Sequence, residues 1–286
     1  MILVTGASGT TGGATLAALA TTGAPVRALT RDPARLDVPE GVEVAQGSFD
    51  DAESLRRALD GVDRAYLVLG SSPETLELEG AFVDAAKQAG VRHLVRLSVI
   101  GADQPGSARM RFGAGHQAME QLVRDSGLEW TFLRPNGFMQ NYLGQAATIA
   151  ADGRFFSTLS PAAVVSHVDA RDIGEVAAKA LTEDGHAGRA YALTGPEGVS
   201  DDQVAERLTA ALGKPVEHVL IAPEDLRRNL IAAGVPGWNA DGLGELWAFY
   251  ETGHAGQVAP DVERVLGRPA RSFEDFGRDH AAAFSG

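Results

Sequence analysis

The chain has no cysteine, which removes disulfides, thiol nucleophiles and thiolate metal sites together and gives no sign of an oxidising destination. Lysine is nearly absent as well. Only Lys87, Lys179 and Lys214 occur, so few amines are available as catalysts. No apolar run approaches the roughly 18 residues that a membrane span requires. Met1 leads straight into an apolar strand, leaving no space for a signal peptide, so a cytoplasmic protein without a membrane segment is expected. The net charge of −13 repels phosphate backbones and speaks against nucleic acid as a partner. What is present is a globular composition: 44% hydrophobic over 286 residues, enough for one large domain or two modest ones.

The first thirteen residues organise the rest. Ile2 to Val4 is a short apolar strand, Gly6, Gly9 and Gly12 follow at three-residue spacing, and Ala14 to Thr22 reads as a helix. Strand, glycine turn and helix form the context of a dinucleotide-binding turn. Such a turn is tight, lets the backbone approach a pyrophosphate, and aims a helix N-terminus at it. Glycine is common here, 34 of 286 residues, and the bland alternative is a turn without ligand. The stretch Thr5 to Gly12 resembles the T-G-A-x-G-x-x-G opening of the extended and atypical short-chain dehydrogenase/reductases. Thr5, Gly6, Ser8, Gly9, Thr10, Thr11 and Gly12 are therefore the cofactor candidates of this turn.

Further strands are expected at Val26–Thr30, Val42–Gln46, Arg64–Leu69, Val91–Val99 and Glu129–Arg134. They alternate with helices at Ala52–Leu59, Glu74–Gly90 (Leu76, Phe82, Val83 and Ala86 inward) and Gly113–Gly127. Nearly continuous apolar strands between helices imply a parallel sheet covered on both faces. The fold class is thus α/β, a doubly wound parallel sheet of Rossmann type, with a smaller C-terminal α/β cap. The domain boundary is placed at 194/195, giving residues 1–194 and 195–286. Arg31, with Arg35 nearby, falls about 20 residues past the glycines, where a 2′-phosphate is bound. NADPH is the expected cofactor, and Asp32 keeps NADH admissible. Phe49 and Asp50 are candidates for the adenine, with Asp50 a candidate helix cap too. Leu69, Gly70 and Ser98 stand at strand ends bordering the cofactor crevice.

The run from Gly115 to Asn141 contains His116 and Glu120 four apart, then Trp130-Thr131-Phe132-Leu133-Arg134. With Val168-Asp169-Ala170-Arg171-Asp172-Ile173 and Gly213-Lys214-Pro215, it resembles the NmrA-like branch of that superfamily across essentially the whole chain. The resemblance implies an NAD(P)H-binding protein akin to reductases of quinones and triphenylmethane dyes. It also leaves open a redox sensor without turnover and an oxygenase tailoring aromatic polyketides. Related quinone reductases carry Lys before this His, where Gly115 stands here.

One more absence bears on the chemistry. Four residues after the four tyrosines stand Gly70, Ala146, Gly195 and His254. The Tyr-x-x-x-Lys pair that protonates a ketone in ordinary short-chain reductases does not occur. A quinone or a dye delocalises the incoming electrons and needs mainly a well-placed hydride donor. The expected activity is therefore hydride transfer from NADPH to a quinone or polycyclic aromatic substrate. His116 is the candidate polar catalytic group, with a structural pairing to Glu120 as its alternative. Asn136 is a second candidate, near the nicotinamide. Phe138, Met139, Tyr142, Trp247 and Tyr250 are candidate walls of the substrate pocket. His167 and Asp169 lack a third ligand at suitable spacing, so no metal is expected.

Overall fold

The computed structural model describes residues 1–285 and divides into two units. The first comprises Met1–Pro135, Ala170–Ala192 and Arg264–Leu266; the second takes Asn136–Asp169, Leu193–Glu263 and Gly267 onward. The second unit is therefore discontinuous. It includes 136–169, which the sequence-based boundary at 194/195 places in the first domain.

In chain order the first unit runs β1 (Ile2–Val4), α1 (Thr10–Ala20), β2 (Val26–Thr30), β3 (Glu43–Gln46), α2 (Ala52–Ala58), β4 (Arg64–Leu67), α3 (Thr75–Ala89), β5 (His93–Leu97), α4 (Arg111–Asp125) and β6 (Glu129–Pro135). After α5 (Ala146–Asp152) and β7 (Arg154–Ser157), which belong to the second unit, α6 (Ala170–Thr182) and β8 (Arg189–Leu193) complete the sheet. Its order is β3-β2-β1-β4-β5-β6-β8, with β1 paired in parallel to both β2 and β4. This is the doubly wound order, and the strand sequence reverses direction between β1 and β4, where ligands of such sheets bind. The second unit continues with α7 (Asp201–Leu212), β9 (Glu217–Leu220), α8 (Pro223–Ala232) and α9 (Gly237–Tyr250). In it β7 and β9 form a two-stranded parallel sheet. No helix among the described residues is long and apolar enough to cross a membrane.

The elements follow from local sequence, with informative exceptions. Helix α1 begins at Thr10, four residues before the expected start, because Gly9 already takes the N-cap conformation at φ −89° and ψ 169°. On α3, Phe82, Val83 and Ala86 face inward as expected, but Leu76 is 43% exposed. The buried stripe of α3 instead includes Glu79. Its carboxylate receives Arg96 Nε at 2.7 Å from β5, which leaves a charged pair in a core layer otherwise built from Leu67, Phe82, Leu94 and Phe132.

His93, also on β5, is buried, and its Nε2 lies 2.9 Å from Thr131 Oγ1 on β6. The Thr131 hydroxyl donates to the His186 carbonyl, so it accepts the His93 proton. Burial, helped by the Arg64 charge, lowers His93 from 6.5 to about 4. Between those values the unfolded chain takes up a proton that the folded chain refuses, so stability falls as pH drops from about 6.5 toward 4. Unfolding free energies measured by denaturant across this range should slope with pH, and His93→Gln should flatten the slope by about one proton. An unchanged slope would show that His93 titrates normally in the fold.

Candidate active site

The glycine turn follows β1 directly, beside the end of β4. Gly6 adopts φ +58°, and a Cβ there would meet Val68 Cγ1 at 2.7 Å. A Cβ on Gly12 would lie 2.1 Å from the Gly6 carbonyl oxygen, so the first turn of α1 rests directly on the loop backbone. Thr5 is fully buried beneath, its hydroxyl accepting from Val68 N at 2.9 Å and tying β1 to the end of β4. Gly6, Ser8, Gly9 and Thr10 are exposed on the rim, while Thr11 and Gly12 are buried behind it. The N-terminus of α1 has no side-chain cap and no acidic residue in its first turn. Its backbone N–H groups and positive dipole end therefore face outward unneutralised. A dinucleotide pyrophosphate fits this cradle: the donors are free, and the missing side chains leave room for it.

Beside the turn, a cavity of about 570 Å³ is lined by Arg31, Gln46, Gly47, Ser48, Asp51, Ser54 and Arg57. Arg31 and Arg57 are the two cationic residues of its lining, beside the carboxylate of Asp51, and cations are what a phosphate monoester would need. Arg35 lies in the short turn Pro33–Arg35, whose N-cap is Asp32, and does not line this cavity. Asp51, not Asp50, caps α2, accepting from Glu53 N and Ser54 N at 3.1 Å each. Asp50 instead accepts the Ser48 hydroxyl, which with its own backbone amide holds its carboxyl below the usual range. Phe49 stacks on Phe82 with centroids 5.3 Å apart. Leu69 is half-buried, and Gly70 is exposed with its carbonyl accepting from Thr75 Oγ1 at 3.0 Å.

His116 projects from α4 onto the buried pair from β5 and α3. Its Nδ1 lies 3.2 Å from Arg96 Nη1 and 3.3 Å from Nη2. Arg96 also reaches Glu79 through Nε and Nη2 and donates to Met119 Sδ at 3.1 Å. A guanidinium only donates, so Nδ1 must accept and the single ring proton sits on Nε2. Burial first, and the Arg96 charge second, hold His116 well below 6.5. The imidazole is a neutral donor, and Nε2 has no hydrogen-bond partner among the described residues. The alternative pairing with Glu120 is absent among the described residues. Glu120 accepts from Ser98 Oγ at 2.7 Å and from Arg134 at 2.9 and 2.7 Å, and Arg124 reaches it at 2.9 Å. Burial works to raise this carboxyl, but Arg134, Ser98 and Arg124 outweigh it and keep it ionised. Ser98 is buried with its hydroxyl already donated.

The second unit places the remaining candidates. Asn136 is buried and donates to Ser166 Oγ at 2.9 Å and the Ala255 carbonyl at 2.8 Å, while its oxygen accepts from Gly137 N at 2.9 Å. Both amide hydrogens are committed to the scaffold of this unit. Met139 and Tyr142 lie in an aromatic core with Phe155, Phe273, Phe276 and Phe284. Phe138 is half-buried, and Trp247 packs beside Tyr250 on a smaller cluster with Leu159, Ala163 and Val165. Ser157, His218 and Asp202 line up in the order of a hydrolase triad, at 3.0 and 2.8 Å. The Ser157 hydroxyl donates to Asp201 instead, which also receives Tyr142. The cluster cross-links β7, β9 and α7. No group of three His, Asp or Glu suited to a metal occurs among the described residues.

Arg57, Arg96 and Glu79 were not among the sequence candidates. Arg57 follows Glu53 at helical spacing and reads as a surface pair, while Arg96 hides inside an apolar strand. Only the assembled sheet brings Arg96 to His116, twenty residues on.

Residues 1–275 match the NmrA-like family. An NAD(P)H azoreductase of Xenophilus azovorans is 39% identical over 286 residues, covering 99% of each chain. The NADPH-dependent quinone oxidoreductase QOR2 of Escherichia coli, solved with NADPH, superposes with a TM-score of 0.83 at 26% identity over 98% of this chain and 99% of that one. A Citrobacter triphenylmethane reductase, solved with NADP(H), gives 0.82 at 25% identity over 98% and 100%. The chain belongs to the NmrA-like family, as an NAD(P)H-dependent oxidoreductase of the hydride-transfer type.

Proposed function

We propose that this oxidoreductase reduces a quinone or polycyclic aromatic acceptor with NADPH. The observation that carries the reading is the state of α4. Where a ketone reductase needs a strong proton donor, this helix offers a neutral histidine whose one proton is fixed on Nε2 by Arg96. Bound NADPH supplies the hydride. The exposed rim of the glycine turn binds the pyrophosphate with backbone N–H groups, and Arg31 with Arg57 takes the 2′-phosphate. His116 offers Nε2–H to the negative charge that builds on the acceptor. It remains neutral throughout the neutral pH range and stabilises that charge as a hydrogen-bond donor. An acceptor whose charge spreads over a ring needs no more than this, whereas an alkoxide does. The relatives named above, an azoreductase, a quinone oxidoreductase and a dye reductase, act on conjugated acceptors by their names.

Gly9 separates binding from folding. Its backbone is ordinary, and a Cβ would meet only the Gly6 carbonyl, at 3.2 Å. Gly9→Asp should keep the circular-dichroism spectrum of the wild type while calorimetry shows no NADPH binding. Unchanged affinity would refute the assignment of the turn.

Cofactor preference is decided at the cavity beside it. A charge-assisted bond to phosphate is worth about 1.5–3 kcal/mol. Arg31→Ala should therefore weaken NADPH by roughly tenfold or more and leave NADH almost unchanged. Arg57→Ala should act in the same direction but less, because Glu53 already engages that guanidinium at 3.4 Å. Equal loss of both cofactors would assign Arg31 to structure.

The activity itself is tested anaerobically with NADPH and 1,4-naphthoquinone, following nicotinamide absorbance. Turnover above the enzyme-free rate is expected, with cyclohexanone at least a hundredfold slower. Replacing His116 by Ala should lower kcat only moderately. Cyclohexanone reduced as fast as the quinone would contradict the proposal, since that reaction demands a proton donor of another kind.

A further inference from the structure

The largest fully buried side chain among the described residues is a charged one, Arg96 on β5. Its counter-ion, Glu79, is 2% exposed on the inward stripe of α3 with Phe82, Val83 and Ala86. Desolvating two ions often costs as much as their attraction returns, and apolar residues of similar volume serve a core as well or better. Stability therefore does not account for the pair, and Glu79 has no part in the function proposed above.

What the pair provides is direction. Glu79 Oε2 accepts from Arg96 Nε at 2.7 Å and Oε1 from Nη2 at 3.2 Å. Both oxygens accept, as those of an ionised carboxylate do, and a fork held at two points fixes the guanidinium plane. The edge that remains, Nη1 with the second hydrogen of Nη2, is thereby turned to α4. There it meets His116 Nδ1 at 3.2 and 3.3 Å, with Met119 Sδ 3.1 Å from Nη2. Tyr66 on β4, which feels the Arg96 charge, is raised by burial to about 12 and stays neutral. Glu120, one turn along α4 from His116, is engaged by Ser98, Arg124 and Arg134.

The order carboxylate, guanidinium, imidazole reverses the chemistry of a hydrolytic triad. There a carboxylate accepts from Nδ1–H, and Nε2 keeps a lone pair with which to act as base. Here a guanidinium donates to Nδ1, so Nε2 carries the proton, and neither ring nitrogen has a lone pair to offer.

We propose that Glu79 is a positioning residue of the reaction: through Arg96 it makes His116 present Nε2–H, and never a lone pair, to the acceptor. The consequence is directional. Oxidising an alcohol sends a hydride from its C–H bond to NADP⁺ and the O–H proton to a base, and His116 cannot be that base. Reduction of a conjugated acceptor asks only for a donor. This rests on the quinone reading above and adds what holds its donor in one form.

The tautomer is measured directly. In the full chain with ¹⁵N-labelled histidine, assigned with His116→Gln, His116 should show a protonated Nε2 and an unprotonated Nδ1, unchanged from about pH 5.5 to 8. Glu79→Asp keeps the charge but withdraws the carboxylate by one methylene, so the fork no longer closes on both nitrogens. Part of His116 should then carry its proton on Nδ1. Glu79→Leu/Arg96→Met replaces both charges with apolar groups and strands neither. It should keep the wild-type circular-dichroism spectrum and a dissociation constant for NADPH within twofold. Removing Arg96 takes away one of the two causes that hold His116 below 6.5, so here the ring should divide between tautomers and take up a proton inside that range. Its kcat for 1,4-naphthoquinone should rise about threefold or more as pH falls from 8 to 5.5, where the wild type stays within twofold. A lone pair on Nε2 in the wild type, or the wild-type tautomer in either variant, overturns the proposal. So does a parallel loss of NADPH affinity, which assigns the pair to structure. If the double variant does not fold, Glu79→Asp decides alone. If the wild type fails to turn over naphthoquinone, the reductase reading fails, while the tautomers of wild type and variants still decide the role of Glu79.

Discussion

A guanidinium with no access to water must have its charge and its donors matched by the protein. Arg96 meets that requirement through three elements: Glu79 on α3 takes the ion pair, and His116 and Met119 on α4 take the remaining donors. Desolvating both ions is expensive, and such a pair stabilises little over an apolar core. Burial even lifts the Glu79 carboxyl above its ordinary range despite Arg96. What the arrangement provides is a fixed position. Removing either charge would strand the other and cost about 3–5 kcal/mol, so β5, α3 and α4 are locked in one register. The locked register gives His116 a single tautomer.

The same logic of fixed donors runs through the glycine turn, by the opposite means. There side chains are excluded: the Gly12 backbone lies on the Gly6 carbonyl with no space for a methyl group. Anion recognition falls to main-chain N–H groups that cannot rotate away. In the proposed reading the first unit thus meets the cofactor's charge with backbone N–H groups and arginine.

Much of this was legible in the sequence because it is local. The apolar strands, the three glycines and the helices between them fix the parallel sheet and its crevice, and the match from Thr5 to Gly12 carries the cofactor. What was hidden depends on contacts far apart in the chain. Arg96 sits in a strand that reads as apolar, and its partner Glu79 occupies the stripe where Leu76 looked more natural. The i,i+4 spacing of His116 and Glu120 suggested a pair, yet Ser98, Arg134 and Arg124 claim the carboxylate. Asp50 and Asp51 are equivalent in sequence, and only the turn geometry gives the cap to Asp51. Asn136 is the sharpest instance. Its position after β6 is the one the motif indicates, but whether its amide faces a ligand depends on Ser166 and Ala255.

The choice of polar groups follows the demands of the proposed reaction. Charged groups suit the phosphates of a nucleotide, whose charge never changes. The acceptor gains charge only in the transition state, so its partners act best as neutral dipoles already in place. In the proposed reading His116 is that dipole: it is neutral at physiological pH because burial first, and the Arg96 charge second, disfavour its charged form. A cation at this position would bind a reduced, anionic product more tightly than the neutral substrate and so slow release. Neutral donors avoid that penalty, at the expense of being too weak to protonate an alkoxide. In the proposed reading the absent Tyr-x-x-x-Lys pair and the neutral His116 are therefore two sides of one choice of substrate.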